Sequence, residues 1–310
     1  MTYAGLRVAV LGGTGFAGRN VCEALERAGI TVEAFSRATG CDLLNLPAAQ
    51  ERLRAFRPDY MINCAALVGS LNYVTDLAAD VVDTNMRIIT NVYKIAQQLP
   101  DAVVVNPVAN CAYPDTMDTY REEAFWDGPI HPSVLAYGST RRMMVVFSKS
   151  YSDQYQIRSV NLITPNMYGP YDSVDPNKTH ALNALVVKFV KAVKHDLPTV
   201  EVWGTGKPIR EWLYVRDFAQ AILRVVAEPE NTLEPVNIAQ NQGYSVKELA
   251  DTISHKVGYA GEIVYNTSYQ DGSPKKVMDD RRFRQRFPEF GFTDLARGIS
   301  ETIEYYREVI

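Results

Sequence analysis

Three glycines spaced three apart, Gly12, Gly15 and Gly18, lie in the segment LGGTGFAGRN. They follow an apolar run, RVAVL at 7–11, and precede a helical pattern carrying Val21, Cys22, Leu25 and Ala28. Glycine between a buried strand and a helix lets the backbone approach a pyrophosphate. The helix start then offers unpaired N–H groups and the positive end of its dipole. In this context the spacing reads as dinucleotide binding; a plain tight turn is the alternative. The end of the second strand selects the cofactor. A carboxylate there binds a ribose 2′-hydroxyl, and an arginine suits a 2′-phosphate. TVEAF, 31–35, leads into Ser36 and Arg37, with Glu33 set back in the strand. Serine and arginine both bond phosphate, so the pattern favours NADP(H) over NAD; Arg37 reads otherwise as a solvated loop residue. Asp42, in CDLLN, either accepts from an adenine amino group or caps a turn.

The other residues able to do chemistry are dispersed. Cys22, Cys41, Cys64 and Cys111 form no CxxC pair, and His131, His180, His195 and His255 are equally scattered. Neither a metal site nor a disulfide framework is expected, and a reducing cytoplasm fits. A net charge of −4 gives no global basic field for nucleic acid or anionic membrane. No apolar run is long enough to predict a transmembrane helix. A strand-like run beginning at Leu6 leaves no room for a signal peptide.

The elements that must position these groups alternate in the first half. Strands are expected at 7–11, 31–35, 60–64, 103–105 and 159–163. Helices are expected at 48–56, 85–99 and 137–155. Such strand–helix–strand repeats predict an α/β fold with a doubly wound parallel sheet. With 310 residues and roughly 150 per domain, two joined domains are expected. Residues 1–165, plus returning segments near 208–242, would form the cofactor domain. Residues 166–207 and 243–310 would form a smaller α+β substrate domain. In that half, helices are expected at 181–194, 216–226, 245–257 and 293–307, with short strands at 201–203, 236–239 and 262–265. Ser245 and Glu248 fit a capping box.

GGTGFAG at 12–18, DLL at 42–44, NCAA at 63–66, YGSTR at 137–141 and NMYGP at 166–170 together resemble an extended short-chain dehydrogenase/reductase. More narrowly, the chain is similar to the GDP-fucose synthase branch, which epimerises and reduces a GDP-linked 4-keto-6-deoxy sugar. That likeness rests on VGS at 68–70, NCAYPD at 110–115, HPS at 131–133, KTH at 178–180, VWGTGKPIREWLYV at 202–215 and DGSPKKVMD at 271–279. The resemblance implies that Thr14, Phe16 and Ala65 line the cofactor beside the glycines, with Tyr137, Arg141 and His180.

In such enzymes a tyrosine protonates the substrate oxygen, a lysine four residues later lowers its pKa and holds the nicotinamide ribose, and a serine bonds the same oxygen. Positions i and i+4 share one helix face, so both side chains reach one cofactor. Tyr137 matches the tyrosine, but position i+4 is Arg141. The serine position falls on Ala109, four residues before Tyr113–Pro114. Arg141 keeps the charge with a bulkier planar head, and Asn110 is the nearest candidate donor to replace the hydroxyl. The resemblance further implies Cys111 and His180 as the acid/base pair for epimerisation beside the ketone. Both titrate near enough to neutrality to exchange protons. It also assigns Arg210 to the pyrophosphate, Lys188 and Lys276 to further substrate contacts, Trp203 to the base or pocket wall, and Asn166 to the substrate or a turn.

The expected function is therefore an NADP-dependent nucleotide-sugar epimerase/reductase with a GDP-linked substrate. The altered serine and lysine positions leave two alternatives, epimerisation without net reduction and a non-catalytic nucleotide-binding protein. A homodimer is expected through the helices at 85–99 and 137–155. Met86, Ile89, Val92, Tyr93 and Ala96 on the first, with Met143, Met144, Val146, Phe147 and Tyr151 on the second, give more apolar surface than one stripe needs.

Overall fold

Strands rich in Val, Leu and Ile build the centre of the molecule, because an apolar run is stable where both faces of a sheet are covered. In the computed structural model, which describes residues 5–115, 117–228, 234–269 and 271–310, those strands are β1 (Arg7–Leu11), β2 (Thr31–Phe35), β3 (Tyr60–Asn63), β4 (Val103–Ala109) and β5 (Ser159–Thr164). A late strand at Val236–Asn237 joins them. The six lie in the order Val236–Asn237, β5, β4, β3, β1, β2, and all pairings are parallel. The expected doubly wound sheet is borne out.

Helices α1 (Phe16–Arg27), α2 (Leu46–Phe56), α3 (Leu71–Asp76), α4 (Ala78–Ala96) and α5 (Leu135–Tyr155) connect these strands. The carboxyl ends of β1 and β3 lie side by side while the connections leave to opposite faces. That crevice is where an open α/β sheet binds its ligand. Phe218 and Ile222, from a helix at Val215–Ala227, pack with Val21 and Leu25 of α1 over one face. Ile89, Val92 and Met144, from α4 and α5, cover the other.

A smaller body is built from β6 (Asn166–Tyr168), α6 (Ala181–Lys194), β7 (Thr199–Trp203), β8 (Ile209–Arg210), β9 (Trp212–Tyr214), α7 (Val215–Ala227), β10 (Val236–Asn237), β11 (Tyr244–Ser245), α8 (Val246–Val257), β12 (Glu262–Asn266), β13 (Lys275–Lys276), α9 (Arg281–Arg286) and α10 (Leu295–Val309), with α7 and β10 returning to the large sheet. Leu182, Phe189, Leu249, Ile253 and Ile303 form its core. Both halves of the Ser245–Glu248 capping box are present.

Two expectations change. The helix expected at 85–99 begins earlier, as α4 at Ala78, because the apolar period extends back to Val81; it ends at Ala96, before the turn leading to Pro100. Ile89, Val92, Tyr93, Ala96 and Met144 are not spare surface. They are fully buried against the chain's own sheet. Tyr93 Oη and Ser148 Oγ lie 2.6 Å apart, and Asn106 Nδ2 donates to Tyr93 Oη at 2.8 Å and to Asn161 Oδ1 at 3.1 Å. This polar network locks α4 and α5 to β4 and β5. The apolar side chains left outward on these helices include Val82, Val146 and Tyr155.

Candidate active site

The glycine loop is shaped to admit a dinucleotide. Gly12 has φ of 77°, and a Cβ there would stand 2.8 Å from Ala65 N, so β1 and β3 close on each other only without a side chain. At Gly15 a Cβ would meet only Gly12 O, at 3.3 Å. The loop is thus tight toward the sheet and open toward the crevice. Thr14 Oγ1 donates to Ser36 Oγ at 2.9 Å, tying the loop to the end of β2. Ser36 heads a one-turn helix, Arg37–Thr39, through a reciprocal bond with Thr39. Arg37 is exposed, with no ion pair among the described residues. Glu33, the one nearby carboxylate in β2, is paired with Arg52 at 2.7 Å, which neutralises a charge that would repel a 2′-phosphate. Asp42 Oδ1 accepts from Leu44 N at 3.0 Å, closing a turn with its other oxygen uncommitted. These residues fit NADP(H): the glycine loop for the pyrophosphate, Ser36 and Arg37 for the 2′-phosphate.

Tyr137 stands in the first turn of α5, half-buried. Arg141, one turn on, is 2% exposed. Its guanidinium lies 4.9 Å from the Tyr137 ring centroid and donates to Asn85 Oδ1 at 3.0 Å. No carboxylate pairs with Arg141 among the described residues. Asn85 also bonds the backbone of Leu67 in both directions, at 3.0 and 2.9 Å. One asparagine thus fixes Arg141, α4 and the strand-end loop after β3. Burial raises the Tyr137 pKa; Arg141 opposes that, and Cys111 adds to it.

Cys111 lies on a single 3-10 turn, Asn110–Ala112, directly after Ala109 ends β4. The turn abuts α5: a Cβ at Gly138 would stand 2.6 Å from Cys111 O. Arg142 Nε donates to Ala112 O at 2.6 Å and its terminal nitrogen to Gly128 O at 2.9 Å, pinning the turn. Burial pushes the Cys111 thiol up, while Lys276 and then Arg141 pull it down. Asn110 is 3% exposed, and its Nδ2 is buried with no hydrogen-bond partner among the described residues. Such an unmet donor costs about 1–3 kcal/mol.

His180 caps α6 on the far side of the glycine loop, its ring 5.1 Å from that of Phe16. His180 N and Nδ1 lie 2.9 and 3.1 Å from Asp172 Oδ2, which also accepts from Asn183 Nδ2 at 2.8 Å. Burial alone would raise the Asp172 pKa, but bonds and charge from His180, with the Asn183 bond, hold it below the usual range. Backing by Asp172 fixes which ring nitrogen faces outward.

Arg210 and Lys276 are register partners in the β8–β13 pair. Burial lowers the pKa of both, and Cys111 counters it for Lys276. Lys188 Nζ sits 4.6 Å from the Trp203 ring centroid and donates to Glu201 O at 2.8 Å. Asn166 is half-buried in β6, beside Trp212.

The model of the NAD dependent epimerase/dehydratase family matches residues 8–239. The chain belongs to that family. Over 97% of its length and 97% of theirs, it is 29% identical both to a GDP-L-fucose synthase of Escherichia coli and to a protein of Drosophila melanogaster described as a probable GDP-L-fucose synthase. Its fold matches the crystal structure of a GDP-L-fucose synthetase from Naegleria fowleri bound to NADP, with a TM-score of 0.87 at 25% identity, covering 98% of this chain and 94% of that one. The resemblance read from the motifs is borne out.

Within this family member, the sequence reading missed Asn85, Arg142 and Asp172. Asn85 was visible only as a helix residue, and Arg142 only as a neighbour of Arg141. Asp172 sits eight residues before His180, a spacing that no local periodicity marks. Among the described residues no cluster of potential metal ligands occurs, and no helix is long and apolar enough to cross a membrane.

Proposed function

We propose that this chain is an NADP-dependent epimerase/reductase acting on a GDP-linked 4-keto-6-deoxy sugar. The observation that carries the reading is the abutment of the Cys111 turn on α5 at Gly138, next to Tyr137, at the same carboxyl edge of the parallel sheet from which the glycine loop leaves β1, with His180 against Phe16. Names of relatives similar over nearly the whole chain support the GDP-sugar class, and an NADP-bound neighbour supports the cofactor. When bound, the nicotinamide supplies hydride to the ketone carbon. Tyr137 donates the proton to the ketone oxygen, from a hydroxyl that burial keeps protonated. Cys111 and His180 take and return the proton on the carbon beside the ketone. Arg141, held by Asn85, stabilises negative charge developing on Tyr137. Asn110 gains the bond it lacks by turning its amide to the substrate oxygen, in place of the hydroxyl absent at Ala109. Arg210, Lys276 and Lys188 hold the two phosphates, with Asn166 and Trp203 completing the pocket wall. In this reading residues 1–165, with α7 and β10 returning to their sheet, hold the cofactor, and the smaller body that carries Arg210 and Lys276 holds the sugar nucleotide.

Incubation with GDP-4-keto-6-deoxymannose and NADPH in heavy water tests it. Absorbance loss at 340 nm and deuterium entry into the sugar are both expected, and absence of both overturns the substrate assignment. The second reading, epimerisation alone, is favoured by one observation: Ala109 has no hydroxyl and Arg141 is engaged by Asn85. It requires deuterium entry with NADPH unoxidised. The reading includes a cytoplasmic homodimer, seated on the outward residues of α4 and α5. Val146→Glu should shift sedimentation from twice the chain mass to the chain mass; a wild-type protein already at the chain mass removes the dimer.

A further inference from the structure

At the edge of the smaller body, Trp203 of the pocket wall carries a second ring, Tyr269, to which the reaction described above gives no role. Trp203, ending β7, and Tyr269, in the turn after β12, stack with ring centroids 4.4 Å apart and planes 11° from parallel. Yet Trp203 is 41% and Tyr269 37% exposed. The stack is also held in place. Trp203 Nε1 donates to Glu201 Oε1 at 2.9 Å, and Asn266 Nδ2 donates to Glu201 Oε2 at 2.9 Å.

Contacts lead from this stack to the reaction centre in a fixed order. Thr205, two residues after Trp203, donates to the Asp271 carboxylate through N at 2.7 Å and Oγ1 at 2.6 Å. Asp271 O accepts from an Arg210 terminal nitrogen at 3.2 Å. Arg210 pairs in register with Lys276, and Lys276 is the charge nearest in effect to Cys111. Acid/base group, two cations and flat aromatic surface therefore follow one another. A nucleoside diphosphate sugar has the same sequence of parts: reacting sugar, two phosphates, base.

We infer that Tyr269 is the stacking platform for the base of the sugar nucleotide, offering the ring face turned away from Trp203. Trp203 is its backing, since Tyr269 covers one of its faces and Lys188 sits over the same ring. The inference rests on the sugar-nucleotide reading above, but it does not require guanine. Every base has a π-face, so stacking contributes affinity while being tolerant of base identity.

Calorimetric titration of the full chain with GDP, UDP and inorganic pyrophosphate tests the assignment. Tyr269→Ala should weaken GDP binding about tenfold and Tyr269→Phe by less than about twofold, with pyrophosphate affinity unchanged in both. Equal GDP affinity in wild type and Tyr269→Ala overturns the platform and leaves the function intact. So does an equal loss of pyrophosphate binding, which marks a disturbed fold. If UDP binds in a Tyr269-dependent way and GDP does not bind, the platform stands and the GDP reading falls. If wild type binds neither diphosphate, both fall.

Discussion

Adjacent arginines on α5 bear on the two candidate groups, Tyr137 and Cys111, by different physics. Arg141 is buried and turns to a side chain and a ring, Asn85 and Tyr137. Arg142 is half-buried and turns to two backbone carbonyls, Ala112 and Gly128. The first acts on charge near Tyr137, and the second fixes the turn that carries Cys111. The contrast follows from what each catalytic candidate stands on. Tyr137 belongs to a 21-residue helix that fixes its own backbone. Cys111 belongs to a single 3-10 turn, with too few bonds of its own to hold a geometry. A helix-borne group needs only tuning, whereas a turn-borne group needs a tether.

The largest test of this division separates the two chemistries. Tyr137→Phe removes the proposed proton donor and should lower NADPH oxidation by about 10²–10⁴-fold, the usual worth of general acid catalysis. Deuterium entry from heavy water should stay near wild type. Cys111→Ser should do the reverse, cutting deuterium entry by about 10²-fold while NADPH oxidation of an already epimerised ketone persists. Loss of both activities in both variants would show a single shared centre, and the comparison would break.

Arg142→Met gives a smaller and sharper effect. Methionine keeps an apolar stem of similar length and deletes both carbonyl bonds, together with the guanidinium that lies 5.9 Å from the Phe125 and Trp126 rings. Each charged hydrogen bond is worth about 1.5–3 kcal/mol, but the turn retains its packing against Gly138. We expect deuterium entry to fall about tenfold, on the order of one such bond, with little change in NADPH oxidation by the ketone. An equal fall in both rates would make Arg142 a general support of α5 and not a tether for Cys111.

What the sequence made legible were features governed by local rules. The glycine loop, the buried apolar strands and the Ser245–Glu248 cap each follow from neighbours within a few residues. So does the NADP preference, although the Arg52–Glu33 pair that supports it spans 19 positions and was not visible. Helical period alone placed Met144 and Tyr93 on a spare face. The structure buries them because α4 and α5 share one polar network with β4 and β5. Asn85 opens the helix expected from the sequence at 85–99, whereas in the fold it is a mid-helix anchor for Arg141. Tyr269 lies 66 residues from Trp203, brought to it by the parallel pairing of β7 with β12. Contacts of that range depend on the completed fold, and no spacing rule reaches them.

The remaining prediction is read in stability and concerns a second tether, on the substrate side. Glu211, next to Arg210, is 1% exposed and accepts from Gln240 N at 2.5 Å and Met278 N at 2.8 Å. It holds the segment after β13 against β9, and so fixes Lys276 beside Arg210. Burial pushes its carboxyl up to about 7, despite backbone bonds that favour the ionised form. The unfolded chain ionises this group near its ordinary value, so between that value and about 7 the fold binds a proton that the unfolded chain has lost. Stability from this group is full below the unfolded value and is lost as pH rises through the folded one. Ionising it inside the fold therefore costs about 3 kcal/mol above neutrality. Urea unfolding at pH 5.5 and pH 8 should show wild type losing stability over that interval. Glu211→Gln keeps one acceptor oxygen and cannot ionise, so its midpoint should fall less between the two pH values. Parallel pH slopes in the two proteins would mean that Glu211 ionises in the fold as readily as in the unfolded chain. The substrate-side tether would then rest on its backbone bonds alone, as the Arg142 tether does.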